Sequence, residues 1–137
     1  MTVIITPHLK ESTDSLLRFA LRLDAVLTGL AGIAGIPLAG WMAEKSGTTV
    51  NFEYSLSAFF IAYGLVVLAL AQLPELRKPG IAVIAANLLY TVGAVVFVVS
   101  DRMPLTTVGV VGTLATGVYT LVIAELQYQG LRRLKKR

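Results

Sequence analysis

Charged side chains beside long apolar stretches are the residues of this sequence most able to do chemistry. Asp24 and Glu125 each adjoin such a stretch, and neither has a basic residue three or four positions away. A basic residue at that spacing would neutralise a carboxylate along its own helix. Because a carboxylate within a membrane costs about 2.5–3.5 kcal/mol on insertion scales, both must face other helices, a partner or water. We expect both to lie at the cytoplasmic ends of their helices, in salt bridges to Arg22, Arg77 or Lys78.

Uncharged polar side chains deeper in the apolar stretches could form a binding pocket. Asn87 and Tyr90 share one helix face, and Tyr63 and Tyr119 lie at a comparable depth in their own stretches. Their convergence would create a ligand site in the cytoplasmic half of the membrane. The alternative is that they only hydrogen-bond one another, because helix–helix hydrogen bonds of about 0.6 kcal/mol each would satisfy them without a ligand. The candidate ligand-binding residues are Asp24, Tyr63, Gln72, Asn87, Tyr90 and Tyr119, with Asp24 and Gln72 at the floor of the pocket.

Residues and motifs of common enzyme classes are missing from the sequence. It has no cysteine and one histidine, His8, which leaves no basis for thiolate, disulfide or histidine-based metal chemistry. It has no HExxH motif, no phosphate-binding loop and no GxSxG motif with plausible partners. We therefore predict a non-catalytic protein without a metal site or a cofactor.

Four long stretches without Asp, Glu, Lys or Arg dominate the 137-residue chain, which is 55% hydrophobic and 15% charged. Soluble proteins have about 25% charged residues, so a soluble enzyme is disfavoured. About 20 apolar residues in a helix cross a bilayer with every backbone hydrogen bond satisfied internally. A β-barrel would need alternating strands, and a soluble bundle would need charged helix faces. We predict an all-α integral membrane protein with four transmembrane helices, at about residues 25–43, 54–74, 79–100 and 103–127.

Segments between the predicted helices are short, and their charges predict an orientation. Short connections favour an up-down bundle. Ten of the 12 Lys and Arg residues then lie on one side, and only Lys45 and Arg102 lie on the other. Because cytoplasmic segments hold the Lys and Arg excess, we predict that both termini are cytoplasmic, with residues 128–137 as a basic tail. Glu53 is expected to be a solvated charge at the outer end.

Residues 1–24 are predicted to be a cytoplasmic or interfacial lead-in, an amphipathic N-terminal extension of the first helix. Glu11, Asp14, Arg18 and Arg22 recur at helical spacing, and Asp14 lies four residues before Arg18. That spacing favours an ion pair. We expect this segment to lie in the headgroup layer and set the tilt of the first helix. The alternative is a helix that docks a partner or senses lipid.

Small residues recur every few positions on the first and fourth predicted helices. Such rows let two helix backbones approach closely in lipid. We expect them to pack helices within the bundle, and the alternative is an interface between separate chains. The candidate packing residues are Gly32, Gly35, Gly109, Thr113 and Gly117.

Three local features resemble the DoxX-like family of small membrane proteins. They are the run Leu21-Arg22-Leu23, the glycine-rich first helix, and a hairpin in which Tyr63-Gly64-Leu65 precedes Arg77-Lys78-Pro79. The chain is also similar to small four-helix membrane proteins of actinobacteria. The resemblance covers most of the chain and implies an accessory subunit of a membrane redox system. It carries over no catalytic residue.

These patterns together predict a non-catalytic accessory or scaffold protein of the cell membrane that binds a lipid or quinone-like molecule in an inner-leaflet pocket. The alternative function is a small oligomeric transporter or channel, and a third hypothesis is an enzyme acting on a lipid-soluble substrate. The expected partners are membrane lipids and either a membrane protein or further copies of this chain. Nucleic acid is not expected, because the net charge of +4 reflects membrane orientation and attraction to anionic headgroups.

Overall fold

Four α-helices make up most of the chain in the computed structural model, which describes the backbone of residues 2–134 and the side chains of residues 13–134. In chain order they are α1 (Thr2–Ser46), α2 (Val50–Leu70), α3 (Arg77–Ser100) and α4 (Thr107–Arg132). Each contains a segment long and apolar enough to cross a membrane, which in α1 is Thr13–Ser46. The prediction of an all-α chain with four such helices is confirmed.

The first helix runs without interruption from its polar part into its apolar part. Leu17, Ala20 and Leu21 are fully buried, and Leu17 and Leu21 pack in one core cluster with Val67 of α2. Because of this burial, residues 13–24 pack in the helix bundle as a helical extension of the first helix, and their expected place in the headgroup layer stays a prediction. The remainder of the predicted lead-in lies outside the residues whose side chains are described.

Arg18 of α1 binds the carbonyl groups at the end of α2. Its Nη1 donates to the carbonyl oxygens of Ala71 at 2.7 Å and Leu73 at 3.0 Å, groups of the kind that lack partners within a helix. Its Nη2 lies 2.9 Å from the carboxylate of Asp14, which confirms the predicted ion pair. The second helix ends at Leu70, four residues before the predicted boundary.

Threonine hydroxyls cap the N-termini of α2 and α4. Thr49 Oγ1 accepts a hydrogen bond from the backbone N–H of Phe52 at 3.0 Å, and Thr106 Oγ1 accepts one from Gly109 at 3.1 Å. Such caps satisfy backbone donors that have no partner inside the helix. As a result, α4 begins four residues later than predicted. It also ends five residues later, so the start of the predicted basic tail is helical.

The helices pack as two pairs, α1 with α2 and α3 with α4, and the two pairs join where α1 packs along α4. In the described part of the chain, α1 packs along α2 and α4, and α3 packs along α4. The backbones of α2 and α3 do not approach one another in this way, and aromatic side chains bridge them instead. The rings of Phe60 and Tyr90 are 6.0 Å apart, and those of Phe52 and Phe97 stack at 5.3 Å. Space is therefore left between α2 and α3.

Glycines allow the close approach of α1 and α2. A Cβ added to Gly64 would lie 2.8 Å from the carbonyl oxygen of Ala25, and one added to Gly32 would lie 2.6 Å from that of Ser57. A Cβ at Gly35 would overlap the Ser57 hydroxyl. The candidate packing residues of α1 therefore lie at the contact with α2.

The candidate packing residues of α4 lie at two different contacts. Gly109 lies against the backbone of Ser46 at the end of α1, and Gly117 lies against Ala94 of α3, whose Cβ would be 3.2 Å from an added Cβ. Thr113 is half-buried, and its carbonyl oxygen accepts a hydrogen bond from Thr116 within α4. The fourth helix thus uses its glycines on both α1 and α3.

Large apolar side chains cover the outside of the bundle. The exposed fraction of the side chain is 65% for Leu65, 71% for Leu89 and 72% for Val99. A surface of this kind matches a surrounding of lipid rather than water.

Candidate ligand site around Asp24

Asp24 is the residue around which all four helices meet. Its side chain is fully buried, and both of its carboxylate oxygens accept hydrogen bonds. At Oδ1, the hydroxyl of Thr28, one turn further along α1, donates at 3.0 Å, and the hydroxyl of Tyr119 of α4 donates at 2.8 Å.

Three further side chains donate to the other oxygen, Oδ2. The hydroxyl of Tyr63 of α2 lies at 2.8 Å, Nδ2 of Asn87 of α3 at 3.0 Å, and Nε2 of Gln127 of α4 at 3.2 Å. Asn87 also donates to Oε1 of Gln127 at 3.0 Å, so the two amides are linked to each other as well. One carboxylate therefore connects α1 to each of the other three helices.

The five side chains that hydrogen-bond to the Asp24 carboxylate are all donors, and none of them carries a charge. This arrangement fits an ionised carboxylate, which only accepts hydrogen bonds. Among the residues whose side chains are described, no ion pair links Asp24 to a cation. The predicted salt bridges from Arg22, Arg77 or Lys78 are therefore wrong for Asp24, and all three of those side chains are exposed.

Hydrogen bonds replace the predicted salt bridges energetically. Bonds to a charged group contribute about 1.5–3 kcal/mol each, whereas the carboxylate costs about 2.5–3.5 kcal/mol on membrane-insertion scales. Five donors can therefore offset the cost of burial. They leave the net charge of the carboxylate in place.

Asp24 lies well inside the bundle rather than at its end. Its partner Tyr63 is seven residues before the end of α2, and its partner Asn87 is ten residues after the start of α3. At 1.5 Å per residue these separations are roughly 10 Å and roughly 15 Å. The expected position at the end of the first helix is corrected, because α1 continues past Asp24 by two turns that contain the fully buried Leu17, Ala20 and Leu21.

A cavity of about 330 Å³ adjoins the Asp24 contacts and is bordered by all four helices. Five aromatic rings line it, from Phe59, Phe60, Tyr63, Tyr90 and Tyr119. Four of the five residues that donate to Asp24 also line it, so Asp24 lies directly behind one wall. The remaining lining residues are mostly small or apolar.

Polar groups around the cavity bond to the protein itself. The Tyr90 hydroxyl donates to Thr116 at 3.3 Å, and the Thr120 hydroxyl donates to the carbonyl oxygen of Gly117 at 2.9 Å. The hydroxyls of Thr91 and Thr120 lie 2.7 Å apart. Among the described side chains, no buried polar atom lacks a hydrogen-bond partner. The cavity therefore offers aromatic faces and lone pairs rather than unused donors.

Four of the predicted binding residues line the cavity, namely Tyr63, Asn87, Tyr90 and Tyr119. Asp24 lies behind them. Gln72 does not join them, because it follows the end of α2, is exposed, and donates to the carbonyl oxygen of Leu68 at 3.4 Å. Its expected place at the floor of the pocket is corrected.

Gln127, which is fully buried against Asp24, is not among the residues predicted from the sequence. A signal for it exists in the spacing of α4. Thr120, Ala124 and Gln127 are separated by four and three residues, so they share one helix face, and all three are buried. A buried threonine on that face indicates that the glutamine also faces the bundle.

No protein-family model matches this chain. No curated protein and no solved structure matches it either. The resemblance to DoxX-like proteins therefore stays a prediction, and the site itself has to indicate what the protein does. Within the described residues, no group of three His, Cys, Asp or Glu side chains is arranged to hold a metal ion.

Two other carboxylates lie away from the cavity. Glu53 is 4% exposed and accepts a hydrogen bond from the Thr48 hydroxyl, which corrects its expected solvated state. Its place in the first turn of α2 also suits a negative charge, because the helix N-terminus is positive. Glu125 is exposed and accepts a hydrogen bond from Gln129 at 2.7 Å. Neither belongs to the Asp24 site.

Proposed function

We propose that this protein is a non-catalytic membrane protein that binds a lipid-soluble molecule in the cavity beside Asp24. The observation that carries this proposal is the cavity of about 330 Å³ among four helices, bordered by aromatic rings and backed by a buried carboxylate. Binding sites are commonly concave, mainly apolar and supplied with a few convergent polar groups. A protein that binds such a molecule without converting it would act as an accessory or scaffold protein.

An up-down arrangement with both termini in the cytoplasm is part of the proposal. It is supported by contacts that run in opposite directions along α1 and α2, with Gly64 beside Ala25 and Ser57 beside Gly35. The distribution of Lys and Arg gives the direction, because ten of the 12 then lie on one side. Asp24 would then lie in the inner leaflet of the cell membrane.

The cavity extends from that level toward the middle of the bundle. Tyr90 lies 13 residues from the start of α3, and Thr116 lies 16 residues from the end of α4, which correspond to roughly 20 and 24 Å. The rings of Phe60 and Tyr90, which line the cavity, lie at the space between α2 and α3. We infer that a ligand enters from the lipid between these two helices, without passing through water.

Retention of a ligand during purification tests the proposal. Ala86 lines the cavity, so Ala86→Phe would fill part of it, whereas Ala85→Phe adds the same ring to an exposed position outside the lining. We expect native mass spectrometry of the purified protein to detect a bound lipid-soluble molecule in the wild type and in A85F. The molecule should be lost from A86F. Equal retention by A86F and A85F would contradict binding in this cavity.

A second candidate function is transport, alone or as an oligomer. The observation that favours it is Asp24, since a charged residue within membrane-spanning helices commonly marks a substrate or ion pathway. Proteoliposomes would distinguish the two functions. Movement of the co-purified molecule between the two sides of the vesicle, dependent on Asp24, would favour transport over retention by a scaffold.

A further inference from the structure

We propose that the ligand of this cavity is a lipophilic organic cation, a substituted ammonium ion carrying an aromatic or alkyl group. The proposal depends on the cavity being a binding site, as proposed above. It adds the charge of the ligand. The prediction from the sequence was a lipid or a quinone-like molecule and did not specify that charge.

Asp24 supplies a negative charge that no cation in the described part of the chain neutralises. The ion pair recorded there joins Arg18 to Asp14 and involves neither Asp24 nor the cavity. Thr28, Tyr63 and Tyr119, which donate to Asp24, also line the cavity, so a ligand is separated from the carboxylate by one layer of side chains. In surroundings of low dielectric, the attraction across this layer is weakly screened. A cation gains from it, and an anion is repelled.

Aromatic rings give a cation a second source of attraction. The faces of Phe and Tyr rings carry partial negative charge and attract a cation within about 6 Å of the ring centroid. Five such rings line the cavity, contributed by α2, α3 and α4. Phe60 and Tyr90 lie 6.0 Å apart at the space between α2 and α3, and Phe59 and Tyr63 lie 6.2 Å apart on α2. A quaternary ammonium group is the kind of ligand that aromatic cages bind.

The hydrogen-bond donors of the site disfavour a neutral carbonyl ligand. The Tyr63 and Tyr119 hydroxyls donate to Asp24, and the Tyr90 hydroxyl donates to Thr116. The Asn87 amide divides its donors between Asp24 and Gln127. A quinone-like molecule would need one of these groups to leave its present acceptor, which costs a hydrogen bond. A quaternary ammonium ion needs no donor, so it leaves the whole set of bonds intact.

Two probes of the same shape and different charge test this inference. Phenyltrimethylammonium is a cation, and tert-butylbenzene is its neutral isostere. Binding is measured by equilibrium dialysis of the protein in zwitterionic lipid nanodiscs, with empty nanodiscs subtracted. We expect the wild-type protein to bind the cation at least about tenfold more tightly, a difference that corresponds to one modest charge interaction. Equal binding of the two probes would overturn the cationic ligand.

Asp24→Asn removes the charge and keeps the size of the side chain. It should lower the affinity for phenyltrimethylammonium about tenfold or more and leave the affinity for tert-butylbenzene unchanged. An unchanged preference for the cation would overturn the role of Asp24.

Phe60→Leu tests the aromatic part without altering any group that bonds to Asp24. It should weaken binding of the cation about threefold to about thirtyfold and have little effect on the neutral probe. Phe97→Leu is the matched control, since Phe97 stacks on Phe52 and does not line the cavity. Equal effects of F60L and F97L would overturn the aromatic contact. This comparison stays decisive even when D24N does not fold.

Failure of this inference is distinguishable from failure of the proposed function. A neutral co-purified molecule that A86F loses and A85F retains, together with equal binding of the two probes, would overturn the cation and leave the binding function. Retention of the molecule by both variants would overturn the cavity as the site, whatever the charge of the ligand.

Discussion

Tyr119 and Asp24 are 95 positions apart in the sequence, and the hydroxyl of Tyr119 donates to Oδ1 of Asp24 at 2.8 Å. This bond joins α4 to α1, the two helices along which the two helix pairs meet. The Tyr119 ring also forms part of the cavity wall. One side chain therefore contributes both to the contact between the helix pairs and to the wall of the cavity.

Tyr119→Phe should destabilise the bundle by about 1.5 kcal/mol, because it removes a hydrogen bond to a charged group and keeps the ring. The measurement is the free energy of unfolding in mixed detergent micelles, followed by circular dichroism. Tyr54→Phe is the control, since Tyr54 is 47% exposed. A Y119F protein as stable as Y54F would show that the bond to Asp24 contributes nothing to folding.

Arg18→Met should loosen the end of α2. The variant keeps the apolar stem of the side chain and loses two bonds to backbone carbonyls and the contact with Asp14. We expect a loss of about 1–3 kcal/mol and faster proteolysis between α2 and α3. Arg22→Met is the matched control, as Arg22 lies one turn further along α1 and is exposed. Equal proteolysis rates in the two variants would count against the capping role of Arg18.

Gly64→Ala should destabilise the contact of α1 with α2. The added methyl group would lie 2.8 Å from the Ala25 carbonyl oxygen and 2.9 Å from the Gly29 Cα, so a helix backbone has to move. The expected cost is about 1–3 kcal/mol, seen as a lower melting temperature in detergent. Gly93→Ala is the control, because nothing lies within 4 Å of its added Cβ. Since alanine favours helices more than glycine does, G93A should match or exceed the wild-type stability. A G64A protein of wild-type stability would contradict close packing at this position.

Reporters fused to the chain test the proposed orientation. A fluorescent protein at either terminus should fold and fluoresce, and alkaline phosphatase at either terminus should be inactive, because both ends are expected in the cytoplasm. Alkaline phosphatase inserted between α3 and α4 should be active. Reporters at the two termini that indicate opposite sides of the membrane would rule out an even number of crossings.

The number of helices was predictable from the sequence, whereas the start of the bundle was not. Long stretches without charge predict spanning helices wherever they occur. The charges of Asp14, Arg18 and Asp24 led to a predicted boundary at residue 25, whereas α1 already packs in the bundle at Leu17. Asp14 pairs with Arg18 on the same helix, Arg18 also binds the carbonyl groups that follow α2, and Asp24 is bonded by the other three helices. The contacts of Arg18 with α2 and of Asp24 with three helices join distant parts of the chain, and no local pattern reveals them.

The candidate site was predictable to a similar extent. The depth of each residue along its predicted helix was sufficient to predict that Tyr63, Asn87 and Tyr119 lie close together. All three donate to Asp24. Gln72 was grouped with them because α2 was expected to continue to residue 74. The helix ends four residues earlier, at Leu70, and Arg18 binds the carbonyl groups of Ala71 and Leu73 beyond it, so Gln72 lies outside α2.

Aromatic rings, rather than close backbone contacts, bridge α2 and α3, so side chains alone bound the cavity on this side. Aromatic pairs such as Phe60 with Tyr90 are worth about 0.5–1.5 kcal/mol beyond their burial. The glycine contacts of α1 with α2 join two helix backbones, so these helices cannot separate by side-chain rotation alone. If the cavity binds a ligand as proposed, a bulky ligand would be admitted by rotation of aromatic side chains rather than by movement of whole helices.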